Sequence, residues 1–247
     1  MKRVTALAAV LFLSACGGGG SDGTTAPTSV ASTSAEGFWI GTASTGDVVN
    51  MAVLENGETW GITSTNTGVL TWALYGNVAT SGSTLSGTGS SFSFVSGTAE
   101  SGTLSGSVSS KASLSLKTSA GTTFTGTYST AYDQPALLSN LAGSYSGFAV
   151  GGATPAQAST VVVDVNGNIS SSYVSGNLIC TTSGKATPRA SGKNIFNIQL
   201  NFSGNFCGLG NGATTSGVGY FDTNSRQLIA MTLNSAKTDG LMFVGKR

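Results

Sequence analysis

Asn194-Ile195-Phe196-Asn197-Ile198-Gln199-Leu200-Asn201-Phe202 is the stretch that decides the fold. Phe196, Ile198, Leu200 and Phe202 alternate with Asn197, Gln199 and Asn201. Side chains of a strand point alternately to opposite faces, so this pattern is a strand with one apolar and one polar face. A sheet covered on one side only is antiparallel by preference. Val69 to Tyr75 repeats the pattern with Leu70, Trp72 and Leu74 on one face. Thr103–Ser107 and Ala112–Lys117 repeat it with smaller residues. From Gly37 onward, short alternating runs bounded by Gly, Ser and Asn read as strands nearly throughout.

The chain also repeats itself. Gly37-Phe38-Trp39-Ile40-Gly41 is echoed by Gly143-Ser144-Tyr145-Ser146-Gly147. A valine-rich run follows each, Val48 to Leu54 and Val161 to Val165, and each run ends in Asn-Gly, at Asn56-Gly57 and Asn166-Gly167. Asn-Gly predicts a type I′ hairpin turn. First-half strands are expected to start near Phe38, Val48, Thr59, Val69, Thr84, Gly102, Ala112 and Thr122. Second-half starts fall near Ser144, Thr160, Asn168, Asn177, Asn194, Thr214, Arg226 and Leu241. The predicted fold is all-β: two antiparallel up-and-down meanders of about eight strands each, closing into barrels to bury their edges. A short helix between Asp133 and Gly143, apolar at Leu137, Leu138 and Leu141, joins them. The expected division is 36–135 and 136–247, with 136–247 folding alone. A β-solenoid would repeat at a shorter period, and a membrane-spanning barrel would show aromatic girdles.

The N-terminus carries Lys2 and Arg3, an apolar run from Val4 to Leu13, then Leu13-Ser14-Ala15-Cys16. This is a secretory signal, with an apolar run too short to span a bilayer. The tetrapeptide resembles the lipobox of bacterial lipoproteins. That resemblance implies removal of residues 1–15 and acylation of the Cys16 thiol by diacylglyceryl, with palmitate-type chains. Gly17 after the cysteine, by resemblance to enterobacterial lipoproteins, favours lipid anchoring in the outer membrane, on its periplasmic face or at the cell surface. Residues 16–35, rich in Gly, Ser and Thr, read as a tether with a reach of roughly 25 Å.

Composition narrows the chemistry. Without Lys2 and Arg3, 9 of the 11 basic residues remain against 10 acidic ones, so no nucleic-acid binding by a basic patch is expected. Gly17–Pro135 carries Lys111 and Lys117 against seven acids, and Ala136–Arg247 carries seven bases against Asp164, Asp222 and Asp239. That asymmetry can orient the halves against each other. With Cys16 lipidated, Cys180 and Cys207 are expected to form a disulfide in an exported chain. There is no histidine, which removes Ser–His–Asp and Cys–His catalysis and the commonest metal ligand. No metal, cofactor or enzymatic activity is expected. Glu55 and Glu58, flanking Asn56-Gly57, read as solvated strand ends rather than a paired-carboxylate site. Gly208-Leu209-Gly210-Asn211-Gly212 lacks the Lys-Ser/Thr of a phosphate loop and reads as a loop tied by Cys207. Trp39, Trp60, Trp72 and Tyr75 gather in the first half, as barrel core or as a ligand-binding cluster.

The plan of lipobox, glycine tether and eight-stranded barrels resembles surface lipoproteins of the factor H-binding and transferrin-binding protein B type. The likeness covers the plan and no binding residue. It implies a non-enzymatic, membrane-anchored binding module for an envelope or extracellular protein or glycan. The alternative is a lipocalin-like carrier of a small apolar ligand. A cavity lined by Trp and Phe favours the carrier; a filled barrel with an exposed aromatic patch favours the module.

Overall fold

A computed structural model describes residues 34–151 and 154–247. The strands form two closed barrels in which sequence neighbours pair antiparallel. The first holds β1 (Gly37–Ala43), β2 (Val48–Val53), β3 (Glu58–Ser64), β4 (Leu70–Ser81), β5 (Thr84–Ser93), β6 (Ala99–Ser109), β7 (Ser113–Thr118) and β8 (Thr123–Ser129). It closes through β1 against β8. The second holds β9 (Gly143–Gly151), β10 (Thr154–Val163), β11 (Asn168–Ser175), β12 (Leu178–Pro188), β13 (Phe196–Ser203), β14 (Thr214–Asp222), β15 (Gln227–Leu233) and β16 (Gly240–Lys246). It closes through β16 against β9. Closure gives every strand two neighbours, although β10 and β11 pair only over Val161–Val163 and Ile169–Ser171. The start of β10 departs most from expectation. It begins at Thr154 rather than near Thr160, beside Pro155, and its pairing to β9 shifts register between Thr154 and Gln157.

The Asn-Gly signals mark equivalent hairpins, β2–β3 and β10–β11, but the turn type differs from the expected I′. Only the glycines take positive φ, +82° at Gly57 and +81° at Gly167. Leu54 and Glu58 pair across a three-residue loop, and Gly57 N–H donates to Leu54 O at 2.9 Å. Asp164, Gly167 and Asn168 repeat this arrangement. A type I turn closed by a left-handed glycine has this geometry, with asparagine kept at negative φ. The Asn56 side chain instead accepts the Glu58 N–H at 3.1 Å. Each glycine carbonyl then accepts a strand N–H, from Val78 to Gly57 and from Ala186 to Gly167. A Cβ at Gly57 would stand 2.2 Å from Val78 O, which excludes any other residue there.

A second echo lies in the first strands. The Trp39 Nε1–H donates to the carbonyl of Ala35, four residues back, at 2.8 Å. The Tyr145 hydroxyl donates to the carbonyl of Leu141, also four residues back. Each fully buried aromatic plugs one end of its barrel. Ala35, given to the tether by its composition, is itself buried in the first barrel's core.

Between the barrels run a 3-10 turn, Thr130–Asp133, and one helical turn, α1 (Leu138–Leu141). Asp133 closes the 3-10 turn instead of capping the helix, whose N-cap is Leu137 with no side-chain bond. Leu141 joins the second barrel's core. The barrels share a third apolar core. The outer faces of β1–β4 (Phe38, Ala52, Trp60, Ile62, Ala73) pack on Val150, Val218, Tyr220, Ile229, Met231 and Met242 of the second barrel. Phe38 stacks on Tyr220, centroids 4.0 Å apart, and meets Tyr132 edge-on at 4.9 Å.

Candidate functional site

The first barrel is closed at one end and hollow at the other. Pairing register carries one set of side chains inward. Trp39, Val53, Val78, Leu85, Val108 and Leu114 fill the closed end and are buried. Toward the other end the inward positions shrink. Gly76, Gly89 and Gly102 stand side by side across β4, β5 and β6, and Gly61 faces Leu74 across β3–β4. Without their side chains the wall cannot fill the lumen, and a cavity of about 380 Å³ remains. Its apolar lining includes Val49, Met51, Trp72, Leu74, Leu104, Leu116 and Phe124. Its rim is hydroxyl-rich, with Thr45, Thr63, Ser91, Thr118, Ser119 and Thr122, and carries Asp47 and Glu100. The volume and the mostly apolar wall match a small-molecule pocket.

The second barrel is fuller. Along β13, Phe196, Ile198, Leu200 and Phe202 are buried and the residues between them exposed, as the sequence pattern requires. With Tyr145, Phe221, Leu228 and Phe243 they leave about 70 Å³ at one end, and inward-facing Ala149, Ser159, Ser171, Thr182 and Leu241 also border a space of about 200 Å³ toward the other. The Arg247 guanidinium lies 4.5 Å from the Phe221 ring, and its Nη1 donates to Ala142 O at 2.6 Å. At the other end, Cys180 and Cys207 are disulfide-bonded, Cα atoms 4.8 Å apart. The bond ties the Gly208–Gly212 loop to β12, and Leu209 packs on the barrel core beside a space of about 200 Å³.

The aromatic group foreseen from sequence does not stay together. Trp39 and Trp72 point into the first barrel, while Trp60 and Tyr75 sit on its outer face, 4.6 Å apart edge-to-face. There the Lys237 ammonium of the β15–β16 loop lies 4.8 Å from the Tyr75 ring and 5.6 Å from Trp60. Trp60 and Tyr75 thus belong to the barrel junction. Burial, and then Glu58, raise the Tyr75 pKa.

Glu55 and Glu58 are not merely solvated strand ends. Arg189 of the second barrel donates from Nε to Glu55 Oε1 at 2.8 Å, and its Nη2 lies 4.0 Å from Glu58 Oε2. Charge asymmetry between the halves is thereby used at the junction. Asp133 is its second node. It accepts from Lys193 at 2.9 Å, and from Lys111 and the Tyr128 hydroxyl at 3.0 Å. The Lys193 bond, opposed by partial burial and aided by Lys111 and Tyr128, lowers its carboxyl pKa to about 2. Burial first, then the bond to Asp133, pushes the Tyr128 hydroxyl up; burial and the bond to Glu36 do the same at Tyr132. Glu58 and Arg189 of the first node also border an open cleft of about 450 Å³ with Lys185 and Lys237.

Among the described residues no cluster of His, Cys, Asp or Glu could hold a metal ion, and no helix is long and apolar enough to cross a membrane. The signal, Cys16 and the tether as far as residue 33 lie outside the described residues. No family model matches the chain, and no curated protein matches it. Among solved structures it is similar to a protein of unknown function of the DUF3598 family from Nostoc punctiforme. Identity is 10%, covering 86% of this chain and 96% of that one, with a TM-score of 0.21. A likeness of that size carries no functional argument.

Proposed function

We propose that this chain is an outer-membrane-anchored lipoprotein, held by Cys16, whose first barrel binds a small apolar ligand without transforming it. One observation carries the reading: a 380 Å³ apolar lumen, with Trp72 and Phe124 in its wall, in one of two barrels of the same strand plan. At about 30 Å³ per liquid water, that space equals roughly a dozen waters, or an alkyl chain of about ten carbons. The carrier reading therefore moves ahead of the partner-binding module. The module reading retains one supporting feature, an exposed apolar tip on the second barrel made by Val174, Leu178, Ile179 and Phe206.

The test is titration with N-phenyl-1-naphthylamine, an apolar dye that brightens in dry pockets. Saturable one-to-one binding is expected. Ser91→Phe, which fills the lumen beside Leu74, should weaken it at least tenfold with thermal stability retained. Absent saturation, or equal binding by a folded Ser91→Phe variant, rejects the reading.

A further inference from the structure

We infer that the first barrel selects cationic amphiphiles: ligands with an apolar body and an amine head, and not carboxylic acids of the same length. The inference rests on the ligand-carrying reading of the lumen and names the charge class that it admits.

The charged groups of the cavity lining are Asp47 and Glu100, with no Lys or Arg. Both stand at the mouth. Ala43 N–H donates to Asp47 O at 2.9 Å beside the β1–β2 turn, and Glu100 pairs in register with Ser91 on β5. Neither carboxylate forms an ion pair among the described residues. The Asp47 side chain is met by the Thr45 hydroxyl at 2.9 Å. The mouth turns at 44–47, 65–69, 94–98 and 119–122 contain no basic residue. The first barrel's own lysines lie elsewhere. Lys111, in the β6–β7 turn at the opposite end, is held by Asp133, and Lys117 alternates outward beside inward-facing Leu116. Of the second half's cations, Arg189 and Lys193 are committed to Glu55 and Asp133, and Lys237 lies outside the barrel wall, over the outward-facing Tyr75 and Trp60 rings.

An amphiphile seated with its tail among Met51, Leu104 and Phe124 leaves its head at this rim. Clefts lined by one sign of charge concentrate the opposite sign and repel their own. An ammonium head at this rim lies in the field of carboxylates on opposite walls of the mouth and beside several hydroxyl acceptors. A carboxylate head meets two like charges with no compensating cation, and its desolvation is uncompensated.

The test displaces bound N-phenyl-1-naphthylamine from the protein at pH 7 with decylamine, decanol or decanoate, which share one tail. Decylamine should compete at least tenfold better than decanoate, with decanol between them. In Asp47→Asn/Glu100→Gln the amine-to-acid ratio should fall to about threefold or less. In the unaltered protein the same ratio should shrink in about 0.5 M salt, where charges are screened over a few ångströms. Decanoate competing as well as decylamine, or a ratio indifferent to both salt and the double substitution, overturns the inference while the lumen reading stands. Failure of all three tails to displace the dye overturns the lumen reading, and this inference with it.

Discussion

Phe38→Ala is the sharpest probe of how the two barrels cohere. Phe38 is 1% exposed and lies on the outside of the first barrel, stacked on Tyr220 of the second. A phenylalanine side chain of this kind buries at least about 150 Å², worth roughly 4 kcal/mol at 25 cal/mol/Å². Partial burial in the unfolded chain lowers that figure, and the cavity left between Tyr220 and Tyr132 raises it. The expected loss is about 4 kcal/mol, a factor of nearly a thousand in the folding equilibrium. At a urea dependence of about 2–3 kcal/mol per molar, the midpoint should fall by roughly 1.3–2 M. The assay has a built-in partition. All three tryptophans, Trp39, Trp60 and Trp72, lie on first-barrel strands, so tryptophan emission reports that barrel and, through Trp60, the junction. Far-UV circular dichroism reports both. If the shared core makes one cooperative unit, both signals should move together in the variant. Two separated transitions, with the second unmoved by Phe38→Ala, would refute the reasoning and restore independent barrels.

Three further outcomes follow from the chemistry above. Cys16→Ser should abolish labelling by a fatty-acid probe and release the protein from membranes; undiminished labelling excludes the lipobox reading. Reducing Cys180–Cys207 opens a loop of 27 residues' separation, worth roughly 3–4 kcal/mol. The melting temperature should then drop by roughly 6–16 °C, and a change under about 2 °C argues against a structural bond. Asp133 has its folded pKa lowered to about 2, below the ordinary value of about 3.9. Its contribution is therefore complete above about pH 5 and lost as pH falls toward 2. Asp133→Asn should flatten the pH dependence of stability in that window, and melts of parallel slope for both proteins would count against the Asp133 node.

Much of this architecture was legible because its signals are local. Alternation in Phe196–Phe202, the paired Asn-Gly turns and the Gly-aromatic starts each act over a few residues, and pleat geometry turns them directly into strands, hairpins and an inward face. The two thiols beyond Cys16, Cys180 and Cys207, were as direct. The turn type was misread because an Asn-Gly pair fits two hairpin geometries. Pairing between the Gly57 carbonyl and the Val78 N–H on β4, a strand beyond the hairpin, goes with the bulged one. Pro155 hid the start of β10, since a ring without an N–H reads as a strand breaker.

What tertiary structure alone decided lies wherever residues far apart in sequence meet. Gln227–Leu233 and Glu58–Ser64 are buried on both faces, because barrel packs on barrel there, and an apolar outer face looks in sequence like a weaker alternation. Glu55 and Arg189, 134 residues apart, meet only because the barrels dock. The lumen was the least visible feature. Gly76, Gly89 and Gly102 read singly as poor strand residues; only register sets them shoulder to shoulder on an inward wall. The sequence by itself determined two barrels of one plan. Which of them keeps the larger lumen depended on how missing side chains add up across strands, and volume of that kind is a property of the closed sheet rather than of any segment.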